Sequence, residues 1–142
     1  IQVWRPYLKK DIDLMERIQH RATKLVSNLR NKSYEERIEI LGLTTLETRR
    51  LRGDLIEVFK IIKGIEDLAW RKFFKMSTMS KLRGHSQKLY KQSARLDVRK
   101  YSFCNRVINE WNLLPEELIE CKTVNNFKRK LDLHLRDNRG FK

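Results

Sequence analysis

At 142 residues with 40% hydrophobic side chains, the chain can build one compact domain or two small subdomains, and it is too short for a complete polymerase. Thirty-two Lys and Arg against 18 Asp and Glu leave a formal charge of +14, which favours nucleic acid as partner, an anionic membrane surface second and an acidic substrate last. The apolar runs fall far below the ~18 to 20 residues a bilayer span requires, so no membrane partner is expected. Cys104 and Cys121, seventeen positions apart without CxxC spacing, supply neither a disulfide framework nor a zinc pair, and read as buried thiols of an intracellular protein. The chain opens at Ile1 on Trp4-Arg5-Pro6-Tyr7 without a signal-like stretch, and reads as a soluble fragment of a longer open reading frame.

From Leu8 to Leu29 the apolar positions Leu8, Ile12, Met15, Ala22, Val26 and Leu29 recur by threes and fours, with polar Gln19 in the same register. That spacing predicts one long amphipathic helix. Asn31 and Lys32 interrupt it, and Ser33 with Glu36 has the form of a capping box opening a short helix to about Leu41. Gly42 suits the left-handed residue that closes it. Thr44 with Glu47 makes a second capping box, followed by a helix to Lys63 whose buried face carries Leu51, Leu55, Val58 and Ile62. Asp67 to Phe74 reads as a further short helix. Lys75 to Lys81 loses periodicity, and a boundary is expected near Met76 to Ser80. Arg83 to Lys91 reads as a strand or an extended arm, with Gly84 permitting an unusual backbone angle. Asp97 can cap a helix from Val98 through Trp111, with Val98, Tyr101, Ile108 and Trp111 inward. Thr123 caps the last helix, whose buried stripe is Val124, Phe127, Leu131 and Leu135. The expected fold is mostly α: a helical bundle over 1–75, a basic extended arm or short hairpin over 76–97, and a smaller helical pair over 98–142.

The charge is blocked. Residues 81–106 carry eight basic groups and one acidic, residues 107–121 carry four acidic and no basic, and residues 122–142 return to seven basic and two acidic. Arg83, Lys88, Lys91, Arg95, Arg99, Lys100 and Arg106 could therefore follow a phosphate backbone, each cation displacing condensed counterions. Tyr90 and Tyr101 sit among them, to stack on bases or to turn into the core. Arg49 and Arg50 lie one turn after a helix start, where the helix dipole disfavours cations; phosphate or intramolecular pairing with Glu47 or Asp54 would compensate. Arg52-Gly53-Asp54 spells an adhesion tripeptide but falls inside a helical pattern, and is set aside.

The carboxylates do not form the cluster that two-metal phosphoryl chemistry needs: Asp11 and Asp13, Glu35 and Glu36, and Glu116 and Glu117 all belong to first turns of helices, where the dipole favours them. His20, His85 and His134 stand far apart, with no Cys or Asp at ligand or triad spacing. No catalytic residue, metal or cofactor is expected. His85, in an electropositive setting, is open to a phosphate or base contact or to a structural hydrogen bond. Trp4 and Trp111 read as apolar anchors, Asn112 as a helix-ending polar residue and Pro115 as a stop.

The segments Val3-Trp4-Arg5-Pro6-Tyr7, Glu16 to Lys24, Ser33 to Ile38, Arg49-Arg50, Gly53 to Ile56, Arg83-Gly84-His85, Arg106 to Pro115 and Phe127-Lys128 follow in an order that resembles the region after the polymerase palm in jockey-like LINE retrotransposons, non-LTR elements. Trp111-Asn112-Leu113-Leu114-Pro115 and Arg83-Gly84-His85 carry the resemblance most specifically. It departs at Lys81-Leu82, where a Thr is common before the Arg, and at Ser102-Phe103-Cys104, where Phe-Phe-Ser is usual. The resemblance implies a thumb and post-thumb region of an RNA-directed DNA polymerase that grips primer-template or element RNA, its catalytic aspartates lying upstream. It also implies RNA, DNA and the upstream polymerase core as partners, and a nuclear and cytoplasmic ribonucleoprotein location. The alternative expectation is a helical scaffolding module docking on that core or on a host protein.

Overall fold

The computed structural model describes residues 5–78 and 84–137, and these are mostly helical, as the sequence pattern predicts. The chain divides into two compact units, residues 3–51 and residues 52–142. The division falls inside a helix, whereas the sequence suggested a boundary near Met76 to Ser80, of which 79 and 80 lie outside the described residues.

In the first unit, helix α1 (Lys9–Lys24) is shorter than the periodicity predicts, and a 3-10 turn (Ser27–Leu29) follows it. Near its end the Thr23 hydroxyl donates to the His20 carbonyl at 3.0 Å, a competing bond that favours termination, and Val26 is extended. Helix α2 (Tyr34–Ile40) begins with the predicted capping box: Ser33 Oγ accepts from the Glu36 amide at 3.2 Å while the Glu36 carboxylate accepts from the Ser33 amide at 2.7 Å. The Ser33 amide, and after it the Ser33 side chain, hold the Glu36 carboxyl below its ordinary range. Gly42, at φ +62°, closes the helix as expected. Helix α3 (Leu46–Ile62) starts one residue later than the Thr44/Glu47 pattern implies. Thr45 Oγ1 accepts from the Thr48 amide, and the carboxylate that meets the Leu46 amide, at 3.0 Å, comes from Glu16 of α1.

In the second unit, α3 ends at Ile62, and Gly64, at φ +66°, closes the turn that follows it. Asp67 to Phe74 forms only a 3-10 turn, Trp70–Lys72. Met76 and Leu89 make an isolated antiparallel bridge, with Ser77 N to Lys88 O and Tyr90 N to Lys75 O both at 2.8 Å. The helix predicted over 98–111 is three pieces: α4 (Asp97–Lys100), α5 (Phe103–Arg106) and α6 (Ile108–Leu113). Ser102 Oγ and Asn105 Nδ2 both donate to the Arg99 carbonyl, diverting it from the helical ladder. Val98, expected inward, is 87% exposed, and α4 has no side-chain cap from Asp97. Helices α7 (Glu116–Ile119) and α8 (Val124–Asp137) follow, and Thr123 caps α8 as predicted, its Oγ1 accepting from the Asn126 amide. The core gathers Leu55, Val58 and Phe59 of α3, Trp111 of α6 and Phe127 and Leu131 of α8. Phe59 and Phe127 stack at 4.2 Å between ring centres. Cys121 is buried and Cys104 half-buried, burial raising the Cys104 thiol above its ordinary range.

Candidate nucleic-acid interface

The geometry of the basic arm is fixed by α6. Trp111 is fully buried and its indole Nε1 donates to the Gln87 carbonyl at 2.9 Å. Its own carbonyl accepts from His85 Nε2 at 2.9 Å, and the two rings meet edge to face. Asn112 pairs with Leu89 as a neighbouring strand would: its Nδ2 donates to the Leu89 carbonyl at 2.9 Å and its Oδ1 accepts from the Leu89 amide at 2.8 Å. Glu116 completes the attachment by accepting from the amide and hydroxyl of Ser86, both at 2.8 Å. Gly84 sits at φ +103°, and a Cβ there would approach the Lys88 ammonium within 2.6 Å. The Gly84-His85 and Trp111-Asn112 elements, distant in sequence, thus form one knot. Asn112 acts as an arm holder beyond its predicted helix-ending role. Pro115, exposed, opens α7 as its N-cap, and extended Leu114 before it is the conformation proline imposes.

This arrangement sorts the residues assigned to nucleic acid by sequence. His85 is 2% exposed and is part of the knot, and burial holds its imidazole below the ordinary range. Lys88 is half-buried and donates to the Asn112 carbonyl. Arg106 forms a two-pronged ion pair with fully buried Asp54, Nε and Nη2 each at 3.0 Å from a carboxylate oxygen. Arg50 is buried, its Nη2 at 3.5 Å from Met15 Sδ, while Arg49 is exposed on the first unit. These placements make His85, Arg50 and Arg106 framework and engage half-buried Lys88; for His85 the outcome is the structural hydrogen bond left open by the sequence. Lys91, Arg95, Arg99 and Lys100 are exposed, and none forms an ion pair among the described residues. Arg99 donates to Gln92, and the Lys100 ammonium lies 5.2 Å from the Tyr101 ring centre. Arg83 and Trp4 lie outside the described residues.

Sequence reasoning missed the carboxylates that occupy the framework arginines. Asp54 answers Arg106 across 52 positions and Asp132 answers Arg52 across 80, so no local signal marks either pair. The same two contacts leave Arg52-Gly53-Asp54 engaged inside α3. Asp132 raises the Arg52 guanidinium, and Glu66 does the same for Lys60. Among the described residues no group of three or more His, Cys, Asp or Glu converges as a metal site, and no helix is long and apolar enough to cross a membrane. No protein-family model, curated protein or solved structure matches this chain.

Proposed function

We propose that the chain is a non-catalytic nucleic-acid-binding region, corresponding to the thumb and post-thumb portion of a non-LTR retrotransposon reverse transcriptase. In this reading Lys91, Arg95, Arg99 and Lys100 grip backbone phosphates of primer-template or element RNA. The observation that carries the reading is the division of the cations. Arg52, Lys60 and Arg106 are matched to carboxylates, whereas these four are exposed and unmatched among the described residues, in a stretch whose one acid is Asp97. Unmatched surface cations bind a polyanion at the least desolvation cost and release its condensed counterions. Tyr90, 55% exposed beside Lys91, has a ring face free to stack on a base. The resemblance of the Trp111 to Pro115 and Gly84-His85 elements to the jockey-like family supports the parent assignment, in which the upstream polymerase core supplies catalysis.

Fluorescence anisotropy with labelled RNA, RNA-DNA hybrid and duplex DNA tests this reading. The wild type should bind at low salt, and Lys91→Ala/Arg95→Ala/Arg99→Ala/Lys100→Ala should lose at least about tenfold in affinity, because charge-assisted phosphate contacts are each worth about 1.5 kcal/mol or more. Absence of binding to all three would overturn it. The second reading, docking on the polymerase core, draws on Leu14, Ile18 and Leu25, large apolar side chains exposed at helical spacing in the first unit. It predicts a complex with that core that persists at high salt.

A further inference from the structure

We infer that the first unit carries a binding site for a phosphate monoester, in a cavity where the end of α1, the following connection and the start of α2 meet. The open cavity, about 350 Å³, is lined by His20 and Lys24 of α1, Arg30 and Lys32 of the connection, and Ser33 and Arg37. No Asp or Glu lines it.

Arg37 carries the argument. It is 2% exposed, and among the described residues it has no carboxylate partner. Its Nε donates to Thr23 Oγ1 at 3.1 Å, its Nη1 to the Lys32 carbonyl, and its Nη2 faces His20 Nε2 at 3.5 Å. None of those three partners is a carboxylate. A buried guanidinium usually stands against a carboxylate, as Arg106 stands against Asp54, because desolvating an uncompensated charge costs several kcal/mol. The two acids of this network are already occupied. Glu16 accepts from the Tyr34 hydroxyl and the Leu46 amide, and Glu36 from the Ser33 amide.

Lys24, Arg30 and Lys32, all exposed, add three cations around the same opening, and an anion placed there is within their common field. Of the five N–H groups of Arg37, those on the Nη atoms that its three contacts leave over can meet a phosphoryl group, and lysine ammonium groups supply adaptable point charges for its other oxygens. Four cations favour a dianion over a carboxylate or a backbone phosphodiester, each of which brings one charge. The 5′-phosphate end of a nucleic acid and a phosphorylated small molecule share that chemistry. The site lies in a different unit from the Lys91 to Lys100 surface and is independent of the reading proposed for it.

The test is a ¹H–¹⁵N NMR titration of the 142-residue chain with inorganic phosphate at constant ionic strength, set by chloride. Saturable shifts confined to the amides around Lys24 and Arg30 to Arg37 are expected, and Lys24→Ala/Lys32→Ala, which alters only exposed side chains, should weaken binding at least about tenfold. Arg37→Lys, which keeps the charge and removes the guanidinium N–H groups, should also weaken it. No saturable shift, or undiminished binding in the double variant with its spectrum otherwise preserved, would overturn the site. With binding established, paired oligonucleotides bearing 5′-phosphate or 5′-hydroxyl ends separate the sources: preference for the phosphorylated end identifies nucleic acid, and equal affinity identifies a small phosphoester.

Discussion

The second unit is organised around apolar side chains, with Leu55, Val58, Phe59, Trp111, Phe127 and Leu131 all excluded from water, and its buried charge is the matched pair Asp54 and Arg106. In the first unit the buried large apolar residues among those described are Leu29 and Ile38, and side-chain hydrogen bonds join the elements instead. Gln19 donates to the Tyr34 hydroxyl and to the Thr44 carbonyl, Glu16 bridges Tyr34 and the start of α3, and Arg37 ties α2 back to Thr23. Apolar burial is non-directional and tolerates small shifts, while a polar network depends on each partner's position and protonation. The contrast makes the second unit the sturdier scaffold for a charged surface, and the first the unit more sensitive to single polar changes.

Trp111→Ala should have the largest effect on that contrast. It removes a buried ring, the bond to Gln87 and the edge contact with His85, and the expected loss is about 3–5 kcal/mol for the second unit, read from urea denaturation. Retention of wild-type stability would break the claim that the arm and core share one anchor. Asp54→Ala should come next, at about 3–5 kcal/mol, because it leaves the Arg106 guanidinium buried without its partner. Asp54→Leu/Arg106→Leu sharpens the comparison: removing both charges should recover part of the loss, since the pair then leaves no uncompensated group. Ser33→Ala, confined to the first unit, should cost about 0.5–2 kcal/mol in circular-dichroism melts, the worth of one helix cap.

The pH dependence should separate the units at opposite ends of the scale. Burial holds His85 below its ordinary value of 6.5, so the unfolded chain binds the proton more readily, and stability of the second unit is present above that value and lost as pH falls below it. Burial and the bond to Glu16 push Tyr34 up from 10.0 to about 12, so its contribution is present below pH 10 and lost as pH rises through that window. Urea midpoints should therefore fall on both limbs, His85→Gln flattening the acid one and Tyr34→Phe the alkaline one.

What the sequence made legible follows the same physics. The Ser33/Glu36 box, the left-handed Gly42 and the Thr123 cap are local, and each forms as predicted because all the partners lie within a few residues. The break of 98–111 into short helices was hidden because Ser102 and Asn105 compete for the Arg99 carbonyl in a stretch whose apolar spacing still reads as continuous. Arg106 looked like a surface cation because its partner, Asp54, stands 52 positions away, and the structural bond left open for His85 goes to Trp111, 26 positions away. Lys91, Arg95, Arg99 and Lys100 remain on the surface because no acid is positioned to meet them among the described residues.

That division of cations into framework and surface is tested most directly by the salt dependence of RNA-DNA hybrid binding, measured by anisotropy for the wild type and for Lys91→Ala/Arg95→Ala/Arg99→Ala/Lys100→Ala. Each phosphate contact contributes close to one unit of slope in log affinity against log salt, so the quadruple variant should bind with a slope shallower by roughly 3 to 4 and with unchanged urea stability. An unchanged slope would contradict the account, placing the phosphate contacts elsewhere on the chain.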